Sequence, residues 1–254
     1  MTTSPSNSTL ATRLAALQQG MALPFPVGSS SASRLMGVSP PNPLPSGSLT
    51  LRMDKKQTSE SAAILIGASK SQPAELLEEA ITLGLINFGE NKVQEAQSKW
   101  PALKSRHPHV RLHLIGPLQS NKAADAVALF DVIHSIDRPK IADALASACA
   151  KLGKHPAMLL QVNTGEEPQK AGVSPREAAA LLAHCQKLGL NVIGLMCVPP
   201  TSENPAPHFA LLKKMADELG LAELSMGMSG DYETALRLGA TMIRVGTALF
   251  GSRN

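Results

Sequence analysis

The sequence predicts a (βα)8 barrel preceded by a Ser- and Pro-rich segment. Three observations carry that prediction. From Asp54 onward, eight short apolar runs alternate with seven longer amphipathic ones. The alternation fills about 200 residues, the smaller end of the barrel range, whereas an open doubly wound sheet usually has fewer strands. Neither GxGxxG after the first strand nor GxxxxGK[ST] occurs, so the usual dinucleotide and P-loop readings lose their main support.

Residues 1–53 hold ten Ser, seven Pro and no Asp or Glu. Most of that stretch lacks the apolar surface that offsets the entropy of ordering. Within it Leu10, Leu14, Leu17 and Met21 recur at helical spacing behind Ser8 as a cap, which predicts one short amphipathic helix. Strands are predicted at 64–69, 86–89, 112–116, 132–136, 157–163, 192–196, 223–227 and 242–246. The segments between them, 73–84, 93–104, 121–130, 138–153, 174–189, 206–220 and 232–240, read as helices. Gly84, Gly153, Gly189, Gly220 and Gly239 stand where helices should stop, and Pro73, Pro139 and Pro175 stand near helix starts. The barrel domain is expected over 54–254.

Composition excludes several function classes. With 254 residues, 43% hydrophobic and 17% charged, the chain needs no disulfide staples and is neither collagen nor coiled coil. The formal charge of +4 comes largely from Arg13, Arg34 and Arg52, leaving 21 basic against 20 acidic residues from Asp54 onward. One Trp and one Tyr leave little for bases to stack on, so no nucleic-acid partner is expected. Cys149, Cys185 and Cys197 form neither a CxxC nor a Cys/His cluster, and a reducing compartment without structural metal is the simplest reading. His107, His109 and His113 are close in sequence, but two precede a strand and one begins it, so they are not read as ligands. No run of 18 apolar residues appears and no secretory signal opens the chain. A cytoplasmic monomer is expected; the Ser-rich, acid-poor start also has the composition of an organellar transit peptide.

In such barrels chemistry lies just past the strand ends. The first strand ends in Ser69-Lys70, where a desolvated amine is free to condense with an aldehyde; the position also suits a solvated loop lysine. The second runs into FGEN, placing Glu90 and Asn91 at the rim, and Asn91 serves equally as cap for a helix starting near Val93. The seventh ends in SMGMSGD, with Met228, Ser229 and Gly230, and the eighth in IRVGTALFG, with Arg244, Gly246 and Thr247. Loops after strands seven and eight, rich in small residues and hydroxyls, are the common phosphate site of this fold, although such loops also make plain tight turns. Strand eight pairs with strand one once a barrel closes, so amine and phosphate cradle become neighbours. Pyridoxal 5′-phosphate (PLP), both aldehyde and phosphate ester, satisfies both.

Long blocks then point to one family. The chain carries ASK at 68–70, FGENKVQE at 88–95, HLIGPLQSNK at 113–122, HSID at 134–137, QVNTGEEPQKAG at 161–172, GLM at 194–196 and LSMGMSGDYETALRLGATMIRVGTALFG at 224–251. With these it resembles the PLP homeostasis proteins, whose fold is that of the alanine racemase N-terminal domain. The resemblance implies a Schiff base on Lys70, phosphate contacts from Ser229, Gly246 and Thr247, Arg244 facing the pyridine nitrogen, and Asn91 and Met228 lining the pocket. Lys92 stands where the family often has Tyr, Cys197 where Thr is common and Gly230 where Ala is usual. About 40 residues separate the N-terminal helix from the lysine strand, where the family has a short connection.

The function expected is PLP binding in vitamin B6 homeostasis without dedicated catalysis, with PLP-dependent enzymes as candidate acceptors and no membrane partner. The alternative is a racemase of the alanine racemase type. In that family a second acid/base comes from a Tyr on a separate β domain. The sequence here ends soon after the barrel, at Asn254, and its one Tyr, Tyr232, is expected to pack or cap on the helix after strand seven.

Overall fold

Eight parallel strands close on themselves in sequence order: β1 (Ile64–Ala68), β2 (Asn87–Glu90), β3 (Arg111–Leu114), β4 (Val132–Ile136), β5 (Ala157–Val162), β6 (Val192–Cys197), β7 (Glu223–Ser225) and β8 (Met242–Val245). Closure is made by β8 on β1, where Ile66 pairs with Arg244 and Gly67 with Val245. This computed structural model describes residues 9–22 and 63–251. Expectations for Ser8, and for residues 23–53, lie outside the described residues.

The strands read as apolar runs because a parallel sheet wrapped in helices is buried on both faces; β4 is buried at every position. Its outer layer is α1 (Leu10–Ala22), α2 (Ala74–Thr82), α3 (Val93–Arg106), α4 (Ala123–Leu129), α5 (Pro139–Leu152), α6 (Ala178–Lys187), α7 (Pro205–Leu219), α8 (Tyr232–Arg237) and the single turn α9 (Thr247–Phe250). The helices stop where the sequence marks. Gly153 and Gly220 take left-handed caps at φ 62° and 68°, conformations that cost residues with a Cβ. Strand β7 ends two residues before its predicted limit, because Gly227 turns the chain at φ 92°. A Cβ on Gly227 would also stand 2.6 Å from that of Ala235.

The stripe of Leu10, Leu14 and Leu17 is buried in the main core together with Leu249 and Phe250. Each such leucine contributes about 1.5–3 kcal/mol of burial. At the start of α1 the Thr9 hydroxyl accepts the Thr12 N–H at 3.3 Å. Pro101 sits inside α3 on an exposed position, and the helix runs on to Arg106.

Candidate binding site

A cavity of about 450 Å³ opens where the strands end. All seven residues singled out from the sequence line it: Lys70, Asn91, Met228, Ser229, Arg244, Gly246 and Thr247. Gly230, named from the sequence beside Ser229, lines it as well; Gln72, Ile115 and Val198 also line it and were missed. Their only sequence signal is position, each a few residues past a strand end.

Lys70 is half-buried on a loop held from three sides. The Ser69 hydroxyl donates to Glu90 Oε1 at 2.7 Å, and the Trp100 indole N–H donates to the same oxygen at 2.9 Å. Lys99 Nζ lies 2.8 Å from that oxygen and 3.1 Å from Glu95 Oε1, and it donates to the Ser69 carbonyl at 2.9 Å. Ser71, in the left-handed region at φ 59°, gives its N–H to Glu95 Oε1. Burial works to raise the Glu95 pKa, but the Ser71 N–H and Lys99 hold it below the usual range. Glu90 is therefore not the rim residue the sequence suggested. It is fully buried beneath the lysine loop, because the alternation of β2 that turns Asn91 toward the cavity turns Glu90 toward α3. The cap of α3 is Lys92, and Asn91 is left to the cavity.

The opposite end is built from backbone. The Ser229 hydroxyl accepts the N–H groups of Gly246 and Ala248 at 3.3 and 3.4 Å. The Asp231 carboxylate receives the Met228 N–H, and the Met228 carbonyl receives those of Asp231 and Tyr232. The loops after β7 and β8 thus meet at one hydroxyl, beside Thr247.

Between these ends stands Arg244, 4% exposed. It donates to the Ser225 hydroxyl at 2.6 Å and the Cys197 carbonyl at 2.8 Å, both neutral acceptors. Burial lowers its pKa from the ordinary arginine value, opposed by Cys197 and Asp231. Behind Ser225 a hydrogen-bond chain crosses the barrel interior from β7 to β4 and runs on through β3 to β2: Ser225 to His134 at 2.9 Å, His134 to His113 at 2.9 Å, and His113 to Asn87 at 3.1 Å. Asn87 Oδ1 can only accept, so His113 Nε2 donates to it. His113 Nδ1 then accepts from His134, and His134 Nδ1 accepts from Ser225. Every donor points the same way, from Arg244 toward Asn87, with both rings neutral. Burial enforces that state, pushing His113 down to about 3 and His134 well below its ordinary value, the latter aided by His113 and Arg244. Sequence reasoning gave His134 no role and grouped His113 with His107 and His109. Among the described residues no three His, Cys, Asp or Glu side chains form a metal-type group.

With that geometry in place, the comparisons fall into line. The alanine racemase N-terminal domain model matches residues 62–254. A pyridoxal phosphate homeostasis protein of Aquifex aeolicus is 41% identical over 204 residues, spanning 76% of this chain and 89% of the relative. The chain belongs to the pyridoxal phosphate homeostasis protein family. Another member of that family, from Pseudomonas aeruginosa, is 43% identical over 197 residues, 75% of this chain and 84% of the relative. Among solved structures, PipY of Synechococcus elongatus without PLP has a TM-score of 0.76 at 36% identity, covering 96% of this chain and all of PipY. PipY with PLP bound gives 0.75 at 35% identity. An alanine racemase of Clostridium difficile reaches 0.62 at 14% identity over 75% of this chain and 52% of its own, a likeness of fold. No helix among the described residues is long and apolar enough to cross a membrane.

Proposed function

We propose that this chain binds PLP, holds it covalently through Lys70 and serves PLP homeostasis rather than a dedicated reaction. The observation that carries the reading is that one cavity joins an amine to a hydroxyl-and-amide cradle, with a buried arginine between them. The residues fit the group. In this reading Ser229, Gly246 and Thr247 supply donors suited to phosphate oxygens, and Lys70 Nζ condenses with the aldehyde carbon, releasing water. Arg244, whose named partners are neutral, offers an N–H toward the pyridine nitrogen, while Asn91 and Met228 line the wall.

Bound PLP supplies an electron sink, and its strength depends on whether the ring nitrogen is protonated. A guanidinium has no acceptor, so a ring nitrogen facing Arg244 receives a hydrogen bond and stays unprotonated. That setting suits carriage more than carbanion chemistry. Lys70 aside, the lining side chains offer no proton acceptor of the kind a two-base racemase needs: they are amides, hydroxyls, a thioether, apolar groups and Arg244. Tyr232 is not among them. Its hydroxyl lies 3.8 Å from where a Cβ on Gly20 would stand, against α1. PLP-dependent enzymes are the acceptors this reading calls for.

Visible absorbance of the protein with PLP, wild type beside Lys70→Ala and with borohydride added to each, tests the reading. A visible band in the wild type that borohydride bleaches while leaving the cofactor covalently attached, and that the variant lacks, supports it. A wild type that neither takes up PLP nor is labelled by borohydride overturns it.

A further inference from the structure

We propose that the N-terminal helix α1 belongs to the cofactor site's machinery, with Arg13 as a positioning residue that braces the phosphate cradle. This rests on the PLP reading and deepens it. Arg13 is half-buried on α1, facing the end of the chain. Its Nε donates to the Leu249 carbonyl at 2.8 Å, and a second guanidinium nitrogen donates to the Phe250 carbonyl at 3.5 Å. A Cβ on Gly251 would come within 3.3 Å of the third nitrogen, so the guanidinium packs against the last turn.

That turn needs a brace. α9 is four residues long, and a single turn does not hold itself in water. Among the described residues its amide end, at Gly246 and Ala248, is tied to Ser229 by bonds of 3.3 and 3.4 Å, which are long for N–H···O. At its carbonyl end the Gly251 N–H meets Thr247, and among the described residues Arg13 supplies the donor to the Leu249 and Phe250 carbonyls. A cation on those carbonyls both satisfies them and suits the turn's polarity.

The same helix also lies against the element that follows the other loop. Tyr232 opens α8, directly after Met228–Asp231, and its hydroxyl sits beside Gly20 of α1. One helix therefore backs both loops that meet at Ser229, anchored by Leu10, Leu14 and Leu17. A cradle held in place before binding spares the ligand the cost of ordering it. Processing that removed Arg13 would undo this.

The test compares PLP with pyridoxal, the same aldehyde without the phosphate, by equilibrium binding to the full chain. Arg13→Ala weakens PLP about tenfold, the usual cost of a charge-assisted hydrogen bond, and leaves pyridoxal unchanged. Arg13→Lys, which keeps the charge, recovers part of the loss. Should Arg13→Ala fail to fold, Arg13→Gln carries the same comparison with a neutral donor. An unchanged PLP-to-pyridoxal ratio overturns the proposal, whether both affinities persist or both fall together. A wild type that takes up neither aldehyde overturns the PLP reading and this proposal with it, and it does so before any substitution is made.

Discussion

The two ends of the cavity are held by opposite means. Around Lys70 the clamp is made of charged side chains: Glu90, Glu95 and Lys99 hold Ser69 and Ser71 from a neighbouring strand and helix. Around Ser229 the clamp is backbone amide on hydroxyl, braced from behind by Arg13. The difference follows from what each end presents. An amine that must meet one carbon needs a fixed loop, so its neighbours spend their charge on one another. A phosphate site of the kind proposed needs donors left over, and the Gly246 and Ala248 amides here are engaged only by long bonds.

The largest expected effect breaks the comparison at its lysine end. Lys70→Ala abolishes borohydride-fixed labelling, while the phosphate end still retains PLP reversibly and competes with inorganic phosphate. Loss of all PLP binding in that variant would show the two ends to be one unit. Next comes Lys99→Met. It leaves the fully buried Glu90 carboxylate without its cation, at a cost of about 3 kcal/mol in a chemical unfolding midpoint. It also slows the covalent step, because the carbonyl of Ser69 loses its donor. Wild-type stability and rate in Lys99→Met would remove the clamp from the account.

How much of this the sequence carried depends on range. The strands were legible because a buried parallel strand leaves a run such as Met158–Val162, and the helix ends because left-handed caps call for Gly. The cavity lining was legible because a barrel opens its mouth just past the strand ends, so seven lining residues could be named without any contact being known. What stayed hidden are pairings across the fold. Glu90 reads as a rim carboxylate until the inward and outward faces of β2 are fixed. His113 and His134 are 21 positions apart and meet only through the register of β3 on β4. Arg13 and Leu249 are 236 positions apart, and no local pattern joins them.

The histidine pair backs Arg244, which stands between the two ends, so acid should weaken both alike. In the folded chain His113 titrates near 3, while the unfolded chain takes up its proton near pH 6.5. Between those values the unfolded state binds more protons, and stability therefore falls as pH falls. The loss is about 1.4 kcal/mol per pH unit for each histidine of this pair. Urea midpoints at pH 7.5 and pH 5 should differ accordingly, and His113→Gln should flatten the slope by about one proton. Equal midpoints at the two pH values would mean that the His113 and His134 rings are not held neutral.

The smallest effect sharpens the phosphate end. Ser229→Ala removes one hydroxyl and frees the Gly246 and Ala248 amides, whose bonds to it are already long. Stability should change by less than about 1 kcal/mol, since a neutral hydrogen bond contributes about that much. Affinity for PLP should fall several-fold more than affinity for pyridoxal, because the lost group served both as a phosphate partner and as the pin joining two loops. If pyridoxal binding falls equally, the hydroxyl shapes the whole cavity. The contrast between a charge-held and an amide-held end would then give way to a single, continuous wall.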